Sequence, residues 1–370
     1  MRVLGFGTYD ARTHPRVRIL IEGLRAHGDE VEECNVPLGL DTAARVKMLK
    51  QPWRVPLLLL RLLRCWAGLA LRGRRAARRF DPDAILVGYL GHFDVVLARV
   101  LFPRRTIVLD HMISAAGTAK DRGSAGGVVQ RLLRMLDRIA TGSADIVVVD
   151  TDEHVDALPN DAARAKAVVA LIGAPSEWFA VRPPSHDAAH DGPMTAAFFG
   201  LYTPLQGAVT IGAALPLVGD DVAVTMVGRG QDLEATRAAA EGARHVTWHD
   251  WVEPEDLPAL VAAHDVCIGI VGTTPKGAAV VPNKVFQGAA AGCAVVTSDT
   301  RPQRDLLGDA AVLVPAGDAA ALAKALLDLS HDRERLAEMR RRAATLADSA
   351  FSGAAVVEPL RAALAKGKSG

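Results

Sequence analysis

Short apolar runs of strand length alternate with stretches of helical periodicity along this chain, and the pattern runs through twice. In the first half the runs are Arg2–Gly5, Ala84–Val87, Thr106–Leu109, Asp145–Val149 and Ala167–Leu171. Between them, Val17, Leu20, Ile21 and Leu24 fall at i, i+3, i+4 and i+7, one face of a helix. Pro15 suits its first turn and Gly28 its C-terminal cap. Further helices are expected around Phe93–Leu101 and Val128–Ala140. Continuous apolar strands alternating with helices predict a parallel sheet covered on both faces.

The stretch Arg182–Met194 is polar, proline-bearing and aperiodic, and reads as a linker over 181–194. Its His186, His190, Asp187 and Asp191 read as solvated linker rather than a metal site, because nothing there fixes ligand geometry. The alternation then restarts. Strands are expected at Ala196–Phe199, Val222–Val227, Val266–Ile270, Ala294–Thr297 and Ala310–Val314. Helices are expected near Ala208–Leu217, Leu233–Glu241, Asp256–Ala263, Lys284–Ala291 and Asp318–Leu329. The predicted organisation is an α/β domain over 1–180, a second over 195–347, and a terminal helix over 348–370 that packs back toward the first. Ligand is expected between the carboxyl ends of the two sheets.

Composition narrows the function classes. The chain is 50% hydrophobic and 23% charged, which excludes sustained disorder, and its net charge of +1 gives no general bias toward nucleic acid. That neutrality hides an imbalance: eleven basic residues and no acidic one lie between Arg45 and Arg79, so the remainder nets about −10. Val55–Leu71 is the longest apolar stretch, but Arg61 and Arg64 interrupt it. Each would cost about 2.5–3.5 kcal/mol at mid-bilayer, so a spanning helix is rejected. Cys34, Cys65, Cys267 and Cys293 show no disulfide or metal-ligand spacing and suit a reducing compartment. With no signal-peptide core at the start, the expected location is cytoplasmic, with access to the inner face of the membrane left open.

The second half carries the sharper chemical signals. Strand-to-glycine-to-helix junctions occur at FFGLYTPLQG and VTMVGRGQD; free amides at such helix starts suit phosphate. In VPNKVFQGAAAG, Pro282 and Asn283 precede a helix beginning near Lys284, which brings a cation, a helix dipole and free amides together. Gln287 lies at i+3 from Lys284 and could bond ribose hydroxyls. An ordinary capped helix with a surface lysine is the competing reading.

Taken in order, GLYTPLQG, VGRG, WVEPEDLPALVAAHDVCIGIVG, TPKGAAVVPNKVFQGAAAGCAVVTSD and LVPAGDAAALAKAL resemble the C-terminal domain of family 4 glycosyltransferases, retaining enzymes of the GT-B fold. The resemblance covers about Ala196 to Leu329. It implies an α/β GT-B fold, two Rossmann-like domains facing across a cleft. It further implies that Gly200 and the Tyr202–Gly207 loop, with Gln206, approach a diphosphate. Gly228 and Arg229 would lie along the nucleotide, and Trp251 and Val252 would flank the base. Pro282, Asn283, Lys284 and Gln287 would hold phosphate and ribose, and Lys276 is a further phosphate candidate. Two departures stand out. The pair of glutamates common in the family is replaced by Ala279 and Gln287, and the Tyr202–Gln206 loop has no charge. Diphosphate charge would then rest on Arg229, Lys276 and Lys284.

In the first half, Gly7, Thr8, Tyr9 and Arg16 follow the first strand and are expected to face the acceptor. His92 and Asp110 follow later strands and, with Lys284, are the catalytic candidates. The expected activity is transfer of a sugar (a hexosyltransferase reaction) from a nucleoside diphosphate sugar donor to a hydroxyl acceptor, free or lipid-linked, without metal or other cofactor. Two rivals stay open: a sugar-nucleotide 2-epimerase of the same fold, and a non-catalytic relative that binds nucleotide or membrane. The basic stretch Arg45–Arg79, interleaved with leucines and tryptophans, is expected either to meet an anionic membrane surface or to be a solvated basic face.

Overall fold

The computed structural model describes residues 1–10, 15–39, 55–88, 91–112, 114, 127–183 and 192–367. Arg45, Lys47, Lys50, Trp53 and Arg54 of the basic stretch, and the histidines of the polar linker, lie outside the described residues. The chain divides into two compact units, Met1–Leu171 with Val356–Gly370, and Ile172–Ala355.

Unit 1 is built on six parallel strands: β1 (Arg2–Gly7), β2 (Glu30–Asn35), β3 (Ala84–Val87), β4 (Thr106–Asp110), β5 (Ile146–Val149) and β6 (Ala167–Val169). They lie in the order β2-β1-β3-β4-β5-β6. One face is covered by helices α1 (Pro15–Ala26) and α9 (Gly353–Gly367), whose Val17, Leu20, Leu24, Val356, Val357, Leu360 and Leu364 meet Val3, Leu86 and Val108. The other is covered by α2 (Val55–Phe80), α3 (Asp94–Leu101) and α4 (Gly127–Ser143), through Leu69, Val95, Ala98 and Ala140 against Phe6, Ile85 and Val149. Burial on both faces is why β3, β4 and β5 read as unbroken apolar runs.

Unit 2 repeats the plan with β7 (Met194–Phe199), β8 (Val222–Val227), β9 (Val246–His249), β10 (Val266–Ile268), β11 (Ala294–Ser298) and β12 (Val312–Val314), all parallel in the order β12-β11-β10-β7-β8-β9. Four of its helices matter below: α5 (Ala208–Ala214), α6 (Asn283–Ala290), α7 (Ala319–His331) and α8 (Arg333–Leu346). Helix α8 is tied to the sheet by buried Arg340, which donates to Asp265 Oδ1 (3.1 Å) and to the Gly292 carbonyl (3.0 Å). Asp265 in turn accepts from the Thr195 backbone and hydroxyl.

Two strands were not anticipated, β2 and β9. Both are edge strands with mixed exposure, EVEECN and VTWH, so neither shows the apolar run by which interior strands are recognised. Strand order reverses between β1 and β3 in unit 1 and between β7 and β10 in unit 2. Carboxyl ends flanking such a reversal are where open α/β sheets hold ligands.

Candidate functional site

In unit 2 the reversal point is lined by backbone. β7 leaves the sheet at Gly200 (φ 138°) and β8 at Gly228 (φ 128°). A Cβ on Gly228 would lie 1.9 Å from the Gly200 carbonyl oxygen, so the β8 turn cannot carry a side chain without displacing the β7 turn. Gly207 (φ 70°) caps α5, and its Cβ position lies 2.4 Å from the Gly272 amide in the loop after β10. Three strand exits are thereby drawn together over backbone alone.

Lys284 comes into this space from the first turn of α6, where Pro282 is the N-cap. It is only 4% exposed, and its ammonium has no hydrogen-bond partner. Its Nζ sits 3.7 Å from the centroid of the Phe198 ring and 3.5 Å from where a Cβ on Gly200 would be. Burial pulls its pKa down to about 7, with Cys267 opposing. A buried cation lacking a hydrogen-bond partner is costly unless an anion arrives. The side-chain oxygen of Gln206 is likewise buried without a partner.

The remaining unit 2 candidates differ in exposure. Arg229 is exposed and stacks its guanidinium 5.1 Å from the centroid of Trp251, itself 56% exposed. Val252, Lys276 and Gln287 are half-buried, Pro282 is buried and Asn283 is exposed. Tyr202 is a correction: it is fully buried in the core, edge-on to Phe198 at 5.6 Å, so only its backbone can face a ligand. Missed entirely was Gln303, buried behind the site. It accepts from Thr297 Oγ1 (2.6 Å) and donates to the Ser298 carbonyl (3.0 Å), clamping the end of β11. A glutamine on a helix carries no sequence signal for that role.

Unit 1 fills the matching edge with side chains. Asp94, at the start of α3, accepts from the Thr8 amide (2.7 Å), the Thr8 hydroxyl (2.8 Å) and Trp66 Nε1 (2.9 Å). Gly7 (φ 149°) leaves the room this needs, its Cβ position being 3.1 Å from Asp94 Oδ2. Thr8 is thus committed internally. Tyr9 is a core residue whose pKa is raised, first by burial and then by Glu33. Arg16, also buried, donates to Asp110 Oδ1 (3.2 Å), to the Ala170 carbonyl (2.8 Å) and to the Leu171 carbonyl. Thr8, Tyr9 and Arg16 therefore do not point at an acceptor. Asp110 has its pKa raised by burial, against the lowering effect of Arg16; its Oδ1 accepts from Arg16, while its Oδ2 is buried without a hydrogen-bond partner.

His92 is placed differently. Its Nε2 lies 3.1 Å from Asp137 Oδ1 on α4, and its ring meets that of His111 edge-on at 5.1 Å. His111 Nδ1 is buried without a partner, and burial followed by the charge of His92 lowers its pKa to about 4. One ligand atom each from His92, His111 and Asp137 fall within 4.8 Å of one another. No such cluster was anticipated, because Asp137 is a helical acid far from both histidines in sequence.

Residues 194–332 match the family of glycosyl transferases group 1. Over 143 residues the chain is 38% identical to the phosphatidyl-myo-inositol mannosyltransferase of Mycobacterium leprae, a match covering 36% of this chain and 37% of that protein. The Mycolicibacterium smegmatis protein of the same name is 35% identical over 145 residues, covering 37% and 36%. The chain thus spans little more than a third of the length of these curated relatives. Among solved structures, the sucrose-phosphate synthase of Thermosynechococcus elongatus superposes with a TM-score of 0.69 at 15% identity, over 99% of this chain and 97% of that one. Anabaena Alr3699/HepE in complex with UDP superposes with a TM-score of 0.65 at 15% identity, over 99% and 100%. The fold is therefore GT-B, and residues 194–332 of this chain form a glycosyl transferases group 1 domain.

Proposed function

We propose that this chain is a glycosyltransferase that moves a hexose from a nucleoside diphosphate donor, held by unit 2, to a hydroxyl acceptor. The observation that carries the reading is Lys284: a buried ammonium with no hydrogen-bond partner beside the Gly200 turn, at the start of a helix and at the strand-order reversal. A diphosphate supplies the missing anion. Its oxygens also take the free amides of the α6 N-terminus, and exposed Arg229 is available. The stacked Arg229–Trp251 pair offers a platform for the base. Gln287, where other family members resemble one another in having a glutamate, can still hydrogen-bond ribose.

In the retaining reaction the anomeric C1–O bond to the β-phosphate breaks and a bond from C1 to the acceptor oxygen forms on the same face. The acceptor proton passes to the departing phosphate, whose negative charge Lys284 stabilises. Because that phosphate serves as the base, no protein carboxylate has to be free, in keeping with the enclosure of Asp110. The two mycobacterial relatives are named for transfer to a phosphatidyl-inositol, which supports an acceptor hydroxyl carried on a lipid. We further propose that the reaction needs no metal, the charge on the departing phosphate being met by Lys284 and the α6 N-terminus.

The test is a thermal-shift panel of nucleoside mono- and diphosphates, followed by transfer from the matching sugar nucleotide to lipid extracts. A diphosphate at about 100 times its dissociation constant should stabilise unit 2 by about 2.7 kcal/mol. Stabilisation by nucleosides as strong as by diphosphates would overturn the role given to Lys284. Conversion of the donor sugar without any acceptor would make the chain an epimerase. Activity abolished by EDTA and restored by a divalent cation would overturn metal independence.

A further inference from the structure

Three buried side chains of metal-ligating type meet at the carboxyl edge of unit 1, each from a different segment. His92 lies in the turn between β3 and α3. Gly91 makes that turn tight: a Cβ there would fall 2.4 Å from Val87 and 2.6 Å from the Gly88 carbonyl oxygen. His111 directly follows β4, and its amide donates to the Val148 carbonyl of β5 (2.8 Å). Asp137 stands within α4, the helix that packs over the same sheet face. None of the three is more than 7% exposed.

Hydrogen bonds among these groups do not account for them. His92 Nε2 is 3.1 Å from Asp137 Oδ1, yet it is not aligned to donate and has no hydrogen-bond partner. His111 Nδ1 is buried and has none either. Burying such atoms without a partner is costly. One ligand atom from each residue lies within 4.8 Å of the other two, and among the described residues no second group of three His, Cys, Asp or Glu does so. A proton joins only two of these atoms, whereas a metal ion joins all three. Asp137 Oδ2 accepts from the Ser114 hydroxyl (2.8 Å), the kind of outer contact that orients a ligating carboxylate.

We propose that His92, His111 and Asp137 bind one divalent transition-metal ion, zinc or a neighbour of like chemistry. Two imidazoles and a carboxylate suit such an ion, while magnesium and calcium need shells of oxygen that a single carboxylate does not supply. Tetrahedral zinc, with ligands at about 2.0–2.2 Å, holds its donor atoms roughly 3.3–3.6 Å apart. Shifts on the order of 1 Å bring the three side chains to that spacing. Water completes the fourth position. The ion ties the β3–α3 turn, the exit of β4 and α4 together, and its role is structural; it takes no part in the transfer step. The proposal rests on unit 1 alone and is independent of the sugar-transfer reading.

Its test needs no turnover. The full chain, stripped with chelator and desalted, should take up one equivalent of zinc in equilibrium dialysis, and equal magnesium should not displace it. Zinc should raise the unfolding temperature, progressively with its concentration. Cobalt(II) in its place should give the visible absorption of a tetrahedral site, removed by added zinc. Asp137→Asn and His111→Gln should abolish both the equivalent and the absorption, and Ser114→Ala should weaken zinc about tenfold. Should the two buried variants fail to fold, the cobalt spectrum of the parent and the half-buried Ser114→Ala still decide. His186 and His190 of the polar linker are the rival ligands, and changing both to Ala should leave binding intact. No stoichiometric zinc in the parent, the spectrum of hydrated cobalt, or loss of the equivalent in the linker variant would overturn the proposal. So would zinc binding at parental strength in folded Asp137→Asn.

Discussion

The carboxyl edges of the two sheets solve opposite problems with the same fold. Unit 2 lines its edge with glycine backbone and leaves one buried cation unspent. Unit 1 packs its edge with polar side chains, several of which satisfy one another: Arg16 with Asp110 Oδ1, Thr8 and Trp66 with Asp94. An unspent group at a strand-order reversal is where a ligand gains most, because it replaces a desolvation cost with a charge-assisted bond. Spent groups rigidify a scaffold instead. The difference separates residues that bind from residues that hold, although both kinds sit at strand ends.

Gly228→Val should break the unit 2 edge most severely. Its Cβ would fall 1.9 Å from the Gly200 oxygen at a φ of 128°, so a loss of about 4 kcal/mol or more is expected. Chemical denaturation giving parental stability would show that the two turns are not locked together. Arg16→Met should cost about 3–5 kcal/mol, because it strands Asp110 in the core. Nucleotide affinity should nevertheless be unchanged. A selective loss of ligand affinity with normal stability would return Arg16 to the site.

Lys284→Met should do the reverse, weakening diphosphate binding by about 1.5–3 kcal/mol while leaving the fold at least as stable at neutral pH. The stability sign follows from the lowered pKa. Between about 7 and the ordinary lysine value of 10.5 the unfolded chain binds the extra proton, so burial of Lys284 penalises the folded state at pH 7 and the penalty fades as pH rises. Ligand binding runs the other way. An anion raises the pKa again, so affinity should be level below pH 7 and fall above it, by up to about tenfold per pH unit. Calorimetric titrations across that range, with the Met variant showing no such slope, make the check. A parental affinity flat through pH 9 would sink the assignment. Smallest is Trp251→Ala, about 0.5–1 kcal/mol from losing the exposed stack on Arg229. It should appear with nucleosides as well as diphosphates; an effect confined to diphosphates would put Trp251 away from the base.

Periodicity and composition were sufficient for the two α/β units, because interior strands must be continuously apolar and covering helices must carry an apolar face. Val222–Val227 and Ala84–Val87 were legible to the residue for that reason, while β2 and β9, half-wet at the sheet edges, were not. Local sequence also marked the glycines and Lys284, since a tight strand exit and a cation at a helix start are local events. What local sequence could not decide was which polar residues were already spoken for. Thr8, Arg16 and Asp110 occupy the right ends of the right strands, yet their partners lie 86, 154 and 94 positions away. Asp137 met His92 and His111 only once the sheet had set how α4 packs across it. Chain order determines which side chains exist at an edge. Hydrogen bonds and packing between distant segments decide which of them remain free to act.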